Sequence, residues 1–365
     1  MIKNKNFLKK ISAATAAIIM VSLLSGCDAN VLVAPPTLVV PTSNVTEQPT
    51  GNNGLKPTPT PDAEEEIYFS DINLENIIRD IIGKNIGPIT RADVENITEL
   101  SARVRGITNI DALKYFTNLE KLDLYGNRIS DLSALANITS LKRLNLGKNY
   151  NVLTAGTSSP NGLDITPLKS LVLLEELDLS DNMLTDLSGI GSLTMLKTLI
   201  LSKNRIADIS PLSTLKSLTY VDLSYNYGLN SDNTERGISD LSPLYGITTL
   251  ETLIAGYNLI TDLQGIENMT ALKYIDLTDN FVTSVEFLAK VPNLKTVILH
   301  CNALTSLNEF KNNKTIKVLD VSLNMITNFD VILTMSMLED IKWEQNNIQD
   351  YTAIDEFEAR KNGQR

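Results

Sequence analysis

LEELDLSDN, residues 174–182, returns 22 residues later as LKTLILSKN (196–204), with leucine at the first, fourth and sixth places and asparagine at the ninth. Working outward, the segment recurs as LEKLDLYGN (119–127), LKRLNLGKN (141–149), LTYVDLSYN (218–226), LETLIAGYN (250–258), LKYIDLTDN (272–280), LKTVILHCN (294–302), IKVLDVSLN (316–324) and LEDIKWEQN (338–346). A degenerate copy, ITELSARVR (97–105), precedes them, with Arg105 in the asparagine place. One such segment has too little apolar surface to fold by itself. The Leu, Ile and Val positions must therefore stack between successive copies into one continuous core.

A 22-residue period carrying Leu-x-x-Leu-x-Leu-x-x-Asn is the pattern of a leucine-rich repeat. The expected fold is an α/β repeat solenoid of about 11 repeats over residues 97–356, with a parallel sheet on its concave side and 3₁₀ turns on its convex side. The ninth-place asparagine turns inward where the chain leaves its strand, and its amide serves backbone groups that would otherwise be buried unpaired. In second halves such as ISDLSAL (129–135) and ISDLSPL (238–244), Asp131, Asp164, Asp186, Asp208, Asp240 and Asp262 are expected to cap the short turns. Two insertions, 150–162 and 227–237, leave the solenoid just after Asn149 and Asn226. They either rim the concave face or are plain surface loops.

Upstream, DINLENIIRDIIG (71–83) places Leu74, Ile77, Ile78, Ile81 and Ile82 on one helical face, with Ser70 or Asp71 as N-cap and Gly83 as stop. Thr90 and Asp93 follow in capping-box spacing. Residues 67–96 thus read as a helical cap over the open end of the solenoid, and the polar residues 357–365 as a C-terminal tail.

The first 66 residues are of another kind. Lys3, Lys5, Lys9 and Lys10 precede an apolar run of 14 residues, Ile11 to Leu24, too short for a bilayer span. Leu24, Ser25 and Gly26 before Cys27 resemble the bacterial lipoprotein signal, which implies removal of residues 1–26 and acylation of Cys27, as by palmitate. Residues 27–66 are rich in Pro and Thr without apolar periodicity and read as a disordered spacer. The mature chain is then extracytoplasmic, lipid-anchored to the cell membrane and surface exposed. Acylation of Cys27 would leave Cys301 as the one remaining thiol, so no intrachain disulfide is expected. Removing the four leader lysines from 32 basic residues against 43 acidic leaves a charge of −15, which disfavours nucleic acid and anionic lipid surfaces.

The cap segment FSDINLENIIRDIIGK, the following PITRADVENITEL and the 22-residue repeats together resemble the internalin family of bacterial surface proteins. That resemblance implies a right-handed curved solenoid whose concave face binds protein ligands, some of them on host cells. It departs from the family pattern in its N-terminal lipid tether and in ending without an immunoglobulin-like domain.

In each nine-residue segment the third, fifth, seventh and eighth places are expected to point out of the concave sheet. They bring together an exposed strip of Ile200, Tyr220, Tyr225, Ile254, Tyr257, Tyr274, Ile298, His300, Val318 and Leu323. Tyrosine amid aliphatics on a rigid surface suits a protein ligand, from a host, a neighbouring cell or the same cell, bound by a monomer. Tyrosine beside Asp and Asn suits a glycan or wall polymer as the alternative. Enzymatic chemistry is not expected. His300 is the sole histidine, and although Ser322 is within reach on the seventh-place row, a flat ladder offers no oxyanion site or enclosed pocket. No cofactor or metal site is expected, because Asp residues on alternate repeats stand about 9 to 10 Å apart.

Overall fold

The computed structural model describes residues 64–149, 162–229 and 234–363. The leader, Cys27 and most of the spacer, and the first insertion up to residue 161, lie outside the described residues. From Glu66 onward the chain forms one compact unit.

Each nine-residue segment contributes a strand of three residues, β1 (Glu99–Ser101), β2 (Lys121–Asp123), β3 (Arg143–Asn145), β4 (Glu176–Asp178), β5 (Thr198–Ile200) and β6 (Tyr220–Asp222). A short antiparallel hairpin, β7 (Gly228–Leu229) and β8 (Glu235–Arg236), stands at the ends of the second insertion. The sheet resumes with β9 (Thr252–Ile254), β10 (Tyr274–Asp276), β11 (Thr296–Ile298), β12 (Val318–Asp320) and β13 (Asp340–Lys342). The eleven strands pair in parallel in chain order, third place to third and fifth to fifth.

The fourth- and sixth-place Leu, Ile, Val and Ala side chains are buried on the inner side of β1 to β6 and β9 to β12 and form one core with the apolar residues of the convex turns. The asparagines complete that core. Asn204 Nδ2 donates to the carbonyls of Leu179 (3.0 Å) and Leu201 (2.9 Å), while its Oδ1 accepts the N–H groups of Asn182 and Leu184, both at 3.0 Å. One amide thus serves backbone groups of two successive turns.

On the convex side the six aspartates act as the sequence suggests. Each accepts the N–H two residues on, that of the first residue of its turn, at 2.7 to 2.9 Å, as Asp240 does from Ser242 and Asp208 from Ser210. Asn109, Ser284, Ser306, Asn328 and Asp350 fill the same place elsewhere, so every repeat keeps the device while changing the residue.

The helix Ile72–Ile82 opens on Asp71, which is buried. Asp71 Oδ1 accepts from the N–H groups of Asn73 and Leu74, and Oδ2 from the Thr108 N–H (2.7 Å), the Thr108 hydroxyl and the Asn109 N–H. A single carboxylate therefore caps the helix and ties it to the first repeat. Burial alone would raise its pKa, but these hydrogen bonds together hold it below the ordinary 3.8. Leu74 and Ile78 are buried and Ile77 and Ile82 pack partly, whereas Ile81, expected on the same face, is 48% exposed at the flank of the last turn. Thr90 and Asp93 form the capping box, and Asp93 also binds Lys84 at 2.7 Å.

At the other end a helix, Thr352–Gly363, covers the last turn with Ala353, Ile354 and Phe357 buried. The segment read as a polar tail from residue 357 thus begins inside this helix, and Phe357 belongs to the core. Among the described residues no helix is long and apolar enough to cross a membrane.

Asp71→Ala is expected to cost about 2–4 kcal/mol through the lost cap and the unpaired groups it leaves. Amide exchange across residues 72–82 should rise; unchanged exchange would refute the clamp. Because the folded pKa is depressed, this contribution is present above 3.8 and is lost as pH falls through the folded value.

Candidate functional site

The outward side chains of the sheet form rows fixed by register. Along the third places run Tyr220, Thr252, Tyr274, Thr296 and Val318; along the fifth, Asp178, Ile200, Asp222, Ile254, Asp276, Ile298 and Asp320. The eighth place is conformationally special. Lys148, Asp181, Lys203, Tyr225, Tyr257, Asp279, Cys301, Leu323 and Gln345 all hold φ between 52° and 59°, and only Gly126 on the first full repeat is glycine. This left-handed residue swings the chain out of its strand so that the ninth-place asparagine points into the core. A non-glycine residue there carries a backbone cost of order 1 kcal/mol, which the repeats bear at nine of their ten full copies.

Tyr225 and Tyr257 stack, ring centroids 4.0 Å apart and planes 12° from parallel. They stand along one edge of the fifth-place row, beyond the small seventh-place Ser224, Gly256 and Thr278; Tyr220 and Tyr274 stand along the other. The predicted strip residues are thus brought together, but the strip is not an exposed one. Ile200, Ile298, His300, Val318, Leu323 and the four tyrosines are half-buried, and Ile254 is buried at 7% exposure. Neighbours in register about 4.8 Å apart screen each other, and Ile254 lies between Asp222 and Asp276 in the crowded middle of the face. The surface is a shallow trough rather than a ridge.

Its floor is acidic in a particular way. Asp178, Asp222 and Asp320 each accept, through Oδ1, both the N–H and the hydroxyl of the serine two residues on, and Asp276 accepts the Thr278 N–H at 2.8 Å. These local turns hold the carboxylates in place. Burial, against the opposing Ser180 bonds, pushes the Asp178 carboxyl above its ordinary range, and Asp222 and Asp123 add to it. Asp276 is raised in the same way by burial, with Asp320 and Asp222 adding. Burial, then Asp276 and Asp320, lifts the Tyr274 hydroxyl to about 12; burial and Asp222 also raise Tyr220 well above its ordinary value. Both rings are neutral donors at physiological pH.

His300 Nδ1 lies 2.7 Å from Ser322 Oγ, so the conceivable pair does meet. Its polarity is wrong for nucleophilic catalysis. The Ser322 hydroxyl donates its one hydrogen to Asp320 Oδ1 at 2.5 Å, and so accepts from His300 Nδ1–H instead of surrendering a proton to it. Cys301, expected to be the one remaining thiol, is disulfide-bonded. The expectation that no intrachain disulfide forms does not hold in this state. The second insertion enters and leaves as β7 and β8 with Tyr227 exposed between strand and hairpin, while the first lies almost wholly outside the described residues.

Since the folded Asp276 carboxyl titrates above 3.8, its charge destabilises the fold at neutral pH and stability is gained as pH falls through the folded value. Asp276→Asn should therefore raise Tm at neutral pH, by a margin that shrinks on acidification. Asn145, which accepts the Gly147 N–H at 2.9 Å in the same place, shows that asparagine keeps the turn. A lower Tm for the variant at neutral pH would contradict this.

A family model for leucine-rich repeats in two copies matches residues 95–137, 117–170, 194–246 and 248–290, and a single leucine-rich-repeat model matches 173–193. Among solved structures, an internalin (inlF) from Listeria monocytogenes is 26% identical, with 78% of this chain and 92% of that chain covered at a TM-score of 0.58. Internalin C2 (inlC2) from the same organism is 30% identical, covering 65% of this chain and 94% of its own at 0.54. A plant peptide hormone receptor, RGFR1 in complex with RGF2, shares the fold at 19% identity, covering 66% of this chain and 38% of its own at 0.53. With the repeat matched along the solenoid and the internalins matched over nine-tenths of their length, this chain belongs to the internalin-like leucine-rich-repeat proteins.

Proposed function

We propose that this chain is a membrane-anchored surface lipoprotein that binds a protein ligand in the tyrosine-walled trough of its concave face. The observation that carries the reading is the placement of Tyr220 and Tyr274 along one wall and the stacked Tyr225 and Tyr257 along the other. Aromatic side chains with polar tips, preorganised on a rigid sheet, lose little entropy on binding and supply the anchors that dominate protein interfaces. Membership among internalin-like proteins and the likeness to a peptide hormone receptor support a binding role for the solenoid. The reversed hydrogen-bond order at His300 and Ser322 supports a non-catalytic one.

Export and tethering rest on the leader and on Leu24-Ser25-Gly26-Cys27. Mass spectrometry of the membrane-bound protein should find a diacylglyceryl-modified N-terminal Cys27. A retained leader or an unmodified Cys27 would overturn the tether.

Binding of the full chain to a panel of cell-surface proteins and wall polysaccharides should yield a protein ligand. The triple variant Tyr220→Ser, Tyr257→Ser, Tyr274→Ser should lose it by at least about 100-fold while keeping its Tm within a few degrees. Full affinity in that variant would remove the site from the trough. Binding confined to the polysaccharides would move the ligand class to a glycan.

A further inference from the structure

The fifth-place row alternates carboxylate and isoleucine across seven strands, Asp178 and Ile200 through Ile298 and Asp320, all in parallel register. Successive carboxylates are two strands apart, about 9.6 Å at about 4.8 Å per strand. Each commits Oδ1 to its own local turn, which leaves Oδ2 as the acceptor available to something else.

At both ends of the face the chain itself shows what that oxygen takes. Arg103 Nη1 lies 2.7 Å from Asp123 Oδ2, and its guanidinium sits over the Tyr125 ring at 4.6 Å. Lys342 Nζ lies 3.2 Å from Asp320 Oδ2. Asp178, Asp222 and Asp276, between these ends, make no ion pair with the described residues, although Asp222 is as buried as Asp320. The middle of the face repeats the acidic half of an arrangement whose cationic half is built in only at its ends.

We propose that the trough binds a basic segment of another polypeptide in polyproline II conformation, laid along the solenoid axis across the strands, with Lys or Arg at every third residue meeting Asp178, Asp222 and Asp276. This deepens the concave-face reading and rests on it. The spacing selects the conformation. Three residues of polyproline II rise about 9.3 Å and return the side chain to the same side. A strand returns it every two residues, about 6.7 Å, and a helix every seven, about 10.5 Å. Over the two intervals from Asp178 to Asp276 the mismatch is about 0.6 Å for polyproline II and about 1.8 Å for a helix. Proline-rich segments also dock in aromatic-lined grooves, and here Tyr220 and Tyr274 on one wall and the Tyr225–Tyr257 stack on the other supply the rings. The intervening isoleucines lie under the residues between the cations. Burial and mutual repulsion, which push the Asp178 and Asp276 carboxyls up, are what a bound cation relieves.

The test is fluorescence anisotropy of the full chain with labelled Lys-Pro-Pro-Lys-Pro-Pro-Lys-Pro-Pro and with isomers that place the three lysines two or four residues apart. The third-residue spacing should bind at least tenfold tighter than either isomer, and more weakly as salt rises. The double variant Asp222→Asn, Asp276→Asn should lose at least tenfold of that affinity while remaining folded, because asparagine at Asn145 makes the same turn. Equal affinity for all spacings, indifference to the double variant, or no binding at all would overturn the proposal. So would tighter binding of a helical peptide with lysine every seventh residue. The triple tyrosine variant separates the two levels of the reading. If the peptides fail but that variant still loses a protein ligand, the basic segment is wrong and the concave face stands; if it loses nothing, both fall.

Discussion

Each turn of this solenoid hangs on one buried amide. At the ninth place asparagine donates to carbonyls of its own turn and the one before, and from Asn127 to Asn346 its oxygen takes N–H groups of neighbouring turns. No apolar side chain of that size can do this, and leaving those groups unpaired in the core would cost about 1–3 kcal/mol for each. To bring the amide inward the preceding residue enters the left-handed region, three residues after the strand ends. The same amide therefore sets register and the sharp exit towards the convex side.

Register then arranges the two faces. On the convex side an aspartate, asparagine or serine before each turn takes the N–H two residues on. On the concave side fifth-place aspartates make the same kind of local bond with the seventh place, but there they are crowded against one another and partly desolvated. The first row stabilises the turns at the surface. The second stores electrostatic repulsion in the middle of a preorganised, aromatic-walled face, an arrangement that favours a cationic, aromatic-contacting ligand over an empty trough.

Much of this was legible in the sequence because period and chemistry coincide. The ninth-place asparagines, the six convex aspartates and the cap helix with Asp71 were readable from spacing alone, since each acts on backbone groups at fixed offsets. Degree of burial was less legible. Ile254 disappears into the sheet because Asp222 and Asp276 flank it 32 and 22 residues away in sequence, and Ile81 is exposed because the cap touches the solenoid through Leu74, Ile78 and the Asp71 clamp rather than along the whole helical face. Phe357 was hidden by its polar neighbours, although Ala353, Ile354 and Phe357 already had helical spacing. The convex caps at Asn109, Ser284 and Ser306 are hidden by the change from aspartate, although each keeps an oxygen that can accept an N–H two places on. The exchangeable second oxygen of the carboxylates could not be read from sequence at all, because it depends on which oxygen the local turn consumes.

Hydroxyl-radical footprinting of the full chain, free and in complex with the first surface protein it captures, measures the recognition face most directly. Protection of Tyr220, Tyr225, Tyr257 and Tyr274, with Tyr68 and Tyr351 at the two ends left as reactive as in the free chain, is the predicted result. Protection concentrated at the caps or the convex turns, with those four tyrosines unchanged, would contradict the account.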